Sequence, residues 1–248
     1  MSVSEQIPPV TTATDFDGAY ASLAGEYDDQ EHRTTRVLEM LSARGFALGV
    51  RRVLGSHRVD SILELGAGTG ALTIEMLRAW PHAHLLASDA SSEMIEVLAA
   101  KLGDKHAGRL SYAVVTADQC STLDVPPADI IGAGLADPFL DLSTLRALRA
   151  ACDAGTLLFV SVPSHAWAQR ERLERLGVSA STTRFRTRDG GIVLARSMTY
   201  DEHDLRALLA HAGFGVAAAG TERSDTLWSQ PEVCWAVGAP MPPFLERP

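Results

Sequence analysis

The chain has 248 residues and a formal net charge of −9, with 46% apolar and 21% charged residues. A length of this order is typical of a single α/β domain, and it allows a core that needs no disulfides or structural metals. The acidic balance disfavours contact with nucleic-acid phosphates, and we find no basic run longer than Arg51-Arg52. No apolar stretch approaches the roughly 20 residues that span a bilayer. We therefore expect neither a nucleic-acid nor a membrane partner.

The cysteines and histidines give no sign of a metal site. Cys120, Cys152 and Cys234 are odd in number and far apart, so they fit neither a disulfide framework nor a zinc site. The eight histidines show no HExxH or similar spacing. Residues 1–14 lack the basic flank and apolar core of a signal peptide. These features predict a cytoplasmic protein that binds no metal.

The first 54 residues are predicted to be largely helical. Apolar residues recur at helical spacing between Asp29 and Leu54, which indicates one or two amphipathic helices broken near Gly45. Because no repeat or low-complexity linker separates this stretch from the rest, we expect one domain over residues 1–248. Residues 1–54 would be a helical N-terminal lid or extension, and residues 55–248 a Rossmann-like core.

Strands and helices alternate through most of the predicted core. The predicted strands span residues 61–65, 85–88, 110–116, 129–135, 156–162, 214–219 and 232–238. The predicted helices span residues 71–79, 92–101, 142–152 and 201–212, with Ser91 or Ser92 capping the second. This alternation predicts an α/β fold with a doubly wound, mostly parallel seven-stranded sheet and helices on both faces. No helix separates the final two strands, so we expect the last strand to run antiparallel.

A glycine loop, Glu64-Leu-Gly-Ala-Gly-Thr-Gly70, follows the first predicted core strand and opens a helix. Glycines in such a loop permit positive φ angles and close approach of a ligand to the backbone. The free N–H groups of the helix start would face a polar ligand. The loop therefore predicts a cofactor site that uses residues Glu64, Gly66, Ala67, Gly68 and Gly70.

A nicotinamide dinucleotide is one alternative cofactor for this loop. Gly66, Gly68 and Ala71 also satisfy the dinucleotide-binding pattern, and an acid, Asp89, ends the next predicted strand. Glu64 has no role in that pattern, however, and a terminal strand hairpin is foreign to dinucleotide folds. No catalytic tyrosine–lysine pair is visible either, since the only lysines are Lys101 and Lys105.

The loop resembles the first motif of class I S-adenosylmethionine-dependent methyltransferases, acid-x-Gly-x-Gly-x-Gly. In that family the acid helps to anchor the loop and the methionine end of the cofactor. The resemblance extends from about Asp15 to Ala239, and its specific motifs lie within residues 62–119. It implies the Rossmann-like fold described above and S-adenosylmethionine as the cofactor.

The same resemblance implies roles for residues downstream of the loop. Asp89, followed by Ala90, would accept hydrogen bonds from both ribose hydroxyls, and Met94 would pack on the adenine. Asp118 and Gln119 follow the third core strand, where the family places an acid or amide that contacts the adenine amino group.

Residues near the N-terminus resemble the lid of small-molecule methyltransferases, including those similar to glycine N-methyltransferase. A lid tyrosine and an arginine often reach the cofactor carboxylate in those enzymes. Tyr20, Tyr27 and Arg33 match this pattern loosely. They are therefore our candidates for that contact.

The acceptor site is expected beyond the carboxyl ends of the strands, at residues 135–140 and 163–167. Leu135 would lie beside the cofactor, Asp137 would orient an amine or hydroxyl, and His165 is the candidate general base for O-methylation. The Asp137-Pro-Phe139 segment lacks the second proline of the motif that amino-methylating nucleic-acid and protein enzymes carry. This difference favours a small-molecule acceptor.

The sequence thus predicts a methyltransferase that acts on an amine or hydroxyl of a small molecule. Twenty arginines against two lysines are typical of GC-rich genomes, where methyltransferases often serve natural-product and antibiotic biosynthesis. Two alternatives stay open: an NAD(P)-dependent oxidoreductase, and a catalytically inactive methyltransferase-like binding or scaffold protein. The oligomeric state is open as well, with a homodimer as one alternative.

Overall fold

A computed structural model describes residues 10–12, 16–29, 32–123 and 127–242. The predicted N-terminal lid therefore lies only partly within it, because residues 1–9, 13–15, 30 and 31 fall outside the described ranges. Across the described ranges, no helix combines the length and the apolar character needed to cross a membrane.

The described residues form strands and helices that largely alternate along the chain. The strands are β1 (Val10–Thr12), β2 (Ser61–Leu65), β3 (His84–Asp89), β4 (Leu110–Val114), β5 (Ile130–Ala133), β6 (Leu157–Pro163), β7 (Thr182–Arg186), β8 (Ile192–Arg196), β9 (Phe214–Arg223) and β10 (Glu232–Pro240). The α-helices are α1 (Phe16–Leu23), α2 (Arg33–Leu54), α3 (Ala71–Ala79), α4 (Ser92–Leu102), α5 (Leu142–Ala151), α6 (His165–Ala168) and α7 (Glu202–His211). Helix α6 continues as a π-helix, Gln169–Arg175.

Seven strands form the main sheet in the order β4-β3-β2-β5-β6-β10-β9. The pairs from β4 to β6 are parallel, whereas β10 is antiparallel to both β6 and β9. The predicted seven-stranded, mostly parallel sheet with an antiparallel last strand is confirmed. Strand ends differ from the prediction by a few residues, and β9 extends to Arg223 because it pairs along the full length of β10.

Both faces of the sheet carry packed helices, as expected for a doubly wound fold. Alternate residues of β6 point to opposite faces, as the pleat of a strand requires. Phe159 joins the core beneath α2, α3 and α4, and Val160 joins the core beneath α5 and α7. All seven residues of β6 are buried, which is typical of a strand covered on both faces.

A second, three-stranded sheet in the order β1-β8-β7 was not predicted. Helix α1 packs on it through Ala19 and Leu23, which contact Phe185 and Val193. The N-terminal extension therefore contributes a strand as well as helices. We call α1, the turns that follow it to residue 29, and residues 182–196 the cap.

Helix α2 runs without a break through Gly45, where the sequence predicted an interruption. The indole of Trp235 lies against the helix at this point. A Cβ atom built on Gly45 would lie 2.5 Å from Cδ1 of Trp235, and one built on Gly49 would lie 2.5 Å from Cζ3. The glycines thus serve close packing of the helix on β10 and do not end the helix.

We expect Gly45→Ala to destabilise the protein by roughly 1–3 kcal/mol, because the new methyl overlaps a rigid ring. Helix propensity alone would have the opposite effect and would stabilise the protein by about 1 kcal/mol. Urea unfolding measures the difference. In a Trp235→Leu background the same substitution should be neutral or stabilising, and equal effects in both backgrounds would contradict the packing explanation.

Candidate functional site

A cavity of about 280 Å³ lies beyond the carboxyl ends of β2 to β6, beneath the cap. Open α/β sheets bind ligands at this edge, and the volume is close to the lower end of the usual range for ligand sites. Most of the residues predicted to bind the cofactor or the acceptor line it. They are Tyr20, Tyr27, Glu64, Gly66, Ala67, Gly68, Asp89, Ala90, Met94, Asp118, Leu135 and Asp137.

The glycines of the loop share a backbone conformation but differ in what surrounds them. All have positive φ angles, +65° at Gly66, +52° at Gly68 and +95° at Gly70. A Cβ on Gly68 would meet no atom within 4 Å, so the loop leaves open space at this point of the cavity wall. A Cβ on Gly70 would lie 2.4 Å from Cδ1 of Leu98. Gly70, predicted to contact the cofactor, is therefore required for packing against α4 and does not line the cavity.

Asp89 ends β3 and holds the glycine loop in place. Its Oδ2 accepts a hydrogen bond from the Gly68 backbone N–H at 2.8 Å, and its Oδ1 accepts one from the Ser91 N–H at 2.9 Å. The Ala67 N–H donates to the Ser88 carbonyl at 2.9 Å. A carboxylate on a rigid strand end is also the type of group that accepts hydrogen bonds from ribose hydroxyls, the role predicted for Asp89. That role stays a prediction.

Glu64 is almost fully buried at the base of the cavity, with 1% of its surface exposed. Its Oε2 accepts a hydrogen bond from the Thr73 hydroxyl at 2.6 Å. Burial raises the pKa of Glu64 to about 8, against the smaller opposing effect of Thr73. A carboxyl with this pKa retains its proton at neutral pH, and a bound cation would favour its release.

This raised pKa predicts a pH-dependent stability that Glu64→Gln removes. Between the ordinary pKa of 4.5 and about 8, the folded protein keeps a proton that the unfolded chain has released. Stability therefore falls as pH rises through this window and levels off above it. Urea unfolding at pH 5 and pH 8.5 should show the wild type losing several kcal/mol more than Glu64→Gln. Parallel profiles for the two proteins would contradict the assignment.

The wall between β3 and β4 carries the residues predicted to contact the adenine. Met94 is 1% exposed at the start of α4, whose N-cap Ser91 accepts a hydrogen bond from the Met94 N–H. Asp118 lies at the exposed rim, whereas Gln119 does not line the cavity. The buried Thr116 hydroxyl lines the cavity and has no hydrogen-bond partner among the described residues. The sequence analysis did not identify this hydroxyl, to which a bound ligand could hydrogen-bond.

The cap closes the cavity with aromatic rings. The ring centroids of Tyr20 and Tyr27 lie 6.0 Å and 5.9 Å from that of Phe185. Burial raises the pKa of both tyrosines well above the usual value, so both remain neutral hydroxyl donors. The sequence pattern indicated the two tyrosines, but it gave no signal for Phe185, which β7 brings to them.

Hydrogen bonds to Asp28 connect the cap to the glycine loop and to α4. Asp28 accepts a hydrogen bond from the Thr69 hydroxyl at 2.6 Å and one from the Lys101 ammonium at 2.9 Å. Partial burial raises the pKa of Asp28, but these hydrogen bonds outweigh it and hold the pKa below its usual value. Arg36 pairs with the same carboxylate at 2.8 Å.

Arg33, predicted to reach the cofactor carboxylate, lies outside the cavity lining. It is exposed at the start of α2, beside Asp28 and Arg36 in a separate surface depression. Helical geometry explains why Arg33 lies outside the cavity. The residues of α2 that face the cavity follow helical spacing, and Arg33 lies on another side of the helix. They are Thr35, Leu38, Glu39 and Ser42.

The two candidate catalytic residues lie in different places. Asp137 is buried on the cavity wall, and burial raises its pKa to about 6 against the smaller opposing effect of Arg172. The Ser197 hydroxyl donates a short hydrogen bond to its Oδ2. His165 begins α6 and does not line the cavity, because its Nδ1 is directed to the Thr199 hydroxyl at 2.9 Å.

Leu135 has an unusual backbone conformation for a non-glycine residue, with φ +49°. Its N–H donates to Ser161 Oγ at 2.9 Å, and that hydroxyl lies 2.7 Å from the hydroxyl of Ser42 on α2. Such conformations persist where surrounding contacts enforce them, and they cluster at functional sites. The turn after β5 is thus fixed against the cavity.

Comparisons with known proteins agree with this geometry. Residues 62–152 match a family model described as a methyltransferase domain. A comparison with curated protein sequences found no match. Among solved structures, an S-adenosylmethionine-dependent methyltransferase from Clostridium acetobutylicum is 15% identical with a TM-score of 0.63, over 90% of this chain and 99% of that chain.

Two further structures are similar over nearly their whole length. The CcbJ methyltransferase from Streptomyces caelestis is 16% identical with a TM-score of 0.59, over 92% of this chain and 98% of that chain. Magnesium protoporphyrin IX methyltransferase from Synechocystis, solved with bound S-adenosylmethionine, is 15% identical with a TM-score of 0.54, over 91% and 98%. Residues 62–152 therefore match the model of a methyltransferase domain, and the chain as a whole has the Rossmann-like fold of the class I S-adenosylmethionine-dependent methyltransferases.

Proposed function

We propose that this protein transfers the methyl group of S-adenosylmethionine to an amine or hydroxyl of a small molecule. The observation that carries the proposal is a single cavity lined by both the glycine loop with Asp89 and the buried carboxyl of Asp137. In this proposal the glycine loop and Asp89 bind the nucleoside part of the cofactor, and Asp137 meets the acceptor. The cofactor is S-adenosylmethionine, as in the class whose fold the chain shares.

The cofactor supplies an electrophilic methyl on a sulfonium, whose sulfur leaves with the electron pair of the carbon–sulfur bond. The protein has to bind both partners, hold the acceptor atom in line and exclude water. Gly68 leaves room for the cofactor, and Asp89 and Asp118 offer acceptors for its hydroxyls and amino group. Tyr20 and Tyr27 cover the site from the cap.

Asp137 is our candidate for the group that takes the acceptor's proton. Its pKa of about 6 lies close to neutrality, which suits a general base, and it lines the cavity. His165 does not line the cavity. For a hydroxyl acceptor, the new carbon–oxygen bond forms as the proton passes to Asp137; a neutral amine needs less help.

The proposed acceptor is small because the cavity is compact and lies under the cap. The net charge of −9 disfavours a nucleic acid, and the arginine-rich composition is the basis for our proposal of a natural-product acceptor. A nicotinamide cofactor is the weaker alternative, since the buried Glu64 has no task in a dinucleotide site. A catalytically inactive binding protein would bind the cofactor but turn nothing over.

Calorimetric titration with S-adenosylmethionine, S-adenosylhomocysteine and NAD separates these alternatives. We expect binding of the first two and no binding of NAD. Transfer of a labelled methyl group is then measured on a panel of small amines and alcohols, with bulk RNA and intact protein as comparison substrates. Labelling of only the macromolecules would reject the small-molecule acceptor, and cofactor binding without any transfer would favour the inactive protein.

A further inference from the structure

Arg172 is a buried cation in the wall of the cavity. Only 4% of its surface is exposed, and it lies in the π-helix that follows β6. Its Nη1 donates to the Ala180 carbonyl at 3.0 Å and to the Ser197 hydroxyl at 2.7 Å. The guanidinium also lies over the Trp167 ring, 5.4 Å from the centroid.

This guanidinium has no direct anionic partner in the described part of the chain. None of the ion pairs found there includes Arg172. Asp137 is its nearest countercharge in the hydrogen-bond network, but the Ser197 hydroxyl lies between them, accepting from Arg172 and donating to Asp137. A charge buried without a direct partner is costly, so such an arrangement points to a ligand.

The remaining donors of Arg172 have the geometry that a carboxylate requires. An arginine carries five N–H groups, and those on Nε and Nη2 form a planar fork that binds carboxylates with two parallel hydrogen bonds. Both hydrogen bonds seen here use Nη1. The fork itself makes no hydrogen bond to the residues described.

The position of Arg172 assigns this fork to the acceptor half of the cavity. The loop, Asp89 and Asp118 follow β2, β3 and β4, which form one side of the main sheet. Asp137 and Arg172 follow β5 and β6, on the other side of β2. The cofactor motifs therefore occupy one half of the cavity, and Arg172 and Asp137 line the other half.

We propose that Arg172 binds a carboxylate of the methyl acceptor, so that the acceptor is a small organic acid carrying the amine or hydroxyl. This inference rests on the proposed function. Arg172 acts as a specificity-determining residue: it fixes the acid group, and Asp137, one hydroxyl away, meets the group to be methylated. The rings of Tyr20, Phe139 and Phe185 favour an acid with an apolar body.

The test uses two probes of the same shape, 3-phenylpropionate and 3-phenylpropionamide, titrated into protein saturated with S-adenosylhomocysteine. We expect the acid to bind roughly ten- to a hundredfold more tightly than the amide, the range of a charge-assisted hydrogen bond. Arg172→Met should abolish this preference. Arg170→Met, at an exposed arginine in the same π-helix, should leave it unchanged.

Equal binding of acid and amide by the wild type would overturn the proposal, whatever the variants do. A preference that survives in Arg172→Met would overturn it as well.

If Arg172→Met weakens S-adenosylhomocysteine binding and leaves the acid preference intact, the fork binds the cofactor's carboxylate and the acceptor assignment is wrong. If the wild type binds the acid but not S-adenosylhomocysteine, the proposed function fails and the acid site stands. Arg172→Lys, which keeps the charge but loses the fork, should retain only part of the preference and serves if Arg172→Met does not fold.

Discussion

Gly68→Val should lower the affinity for S-adenosylmethionine by at least about 10³-fold, while the protein still folds. The valine side chain would enter the open space in front of the loop, where the cofactor is proposed to lie, so the loss is steric. A β-branched residue at φ +52° adds backbone strain, which lowers stability by about 1–2 kcal/mol. Calorimetric titration and a thermal unfolding curve measure the two effects separately.

Gly108→Val is the matched control for this substitution. Gly108 also has a positive φ, +88°, with no atom within 4 Å of an added Cβ, but it precedes β4 at the opposite edge of the sheet. It should reproduce the strain and leave cofactor affinity unchanged. Normal binding by Gly68→Val would show that the loop is not the cofactor site.

Asp137→Asn should lower kcat for a hydroxyl acceptor by roughly 10²–10⁴-fold, the usual contribution of a general base. The amide keeps the shape of the carboxyl but cannot take a proton. Because the pKa of Asp137 is raised to about 6, wild-type kcat should fall as pH drops below that value. The variant should show a low rate without this limb. Initial rates of labelled methyl transfer between pH 5 and pH 8 test both points.

His165→Ala is the comparison variant, since His165 faces Thr199 outside the cavity. We expect it to change kcat by less than about threefold. A large loss in His165→Ala together with normal turnover in Asp137→Asn would reverse the two assignments. A modest loss in Asp137→Asn, with an amine as the acceptor, would indicate that positioning alone supplies most of the rate.

The half of the cavity that contains the glycine loop was predictable because its residues are local in the sequence. Glu64 and Asp89 lie at the carboxyl ends of buried strands, and the glycines follow the first of these strands directly. A strand pattern and a short motif therefore place them at one sheet edge. The structure brings Glu64, Gly66, Gly68 and Asp89 to the cavity and turns Gly70 towards α4.

The other half depends on contacts between distant segments, which no local pattern reports. Phe185 meets Tyr20 only because β7 and α1 pack together, and Arg172 reaches the cavity from a π-helix whose register differs from that of an α-helix. Arg33 shows the converse case. It has the right residue type near the right position, but it lies on the wrong side of α2.

The antiparallel strand β10 has a consequence for how the chain is made and folds. Within the main sheet, β9 bonds only to β10, so it joins the sheet only after residues 232–240 have left the ribosome. Until then β6 presents an unpaired edge, the kind of surface on which other chains can pair. A chain that ends before Glu232 would therefore lack β10, and β9 would have no strand to pair with in the main sheet. It would also leave the glycines of α2 without the indole that they accommodate.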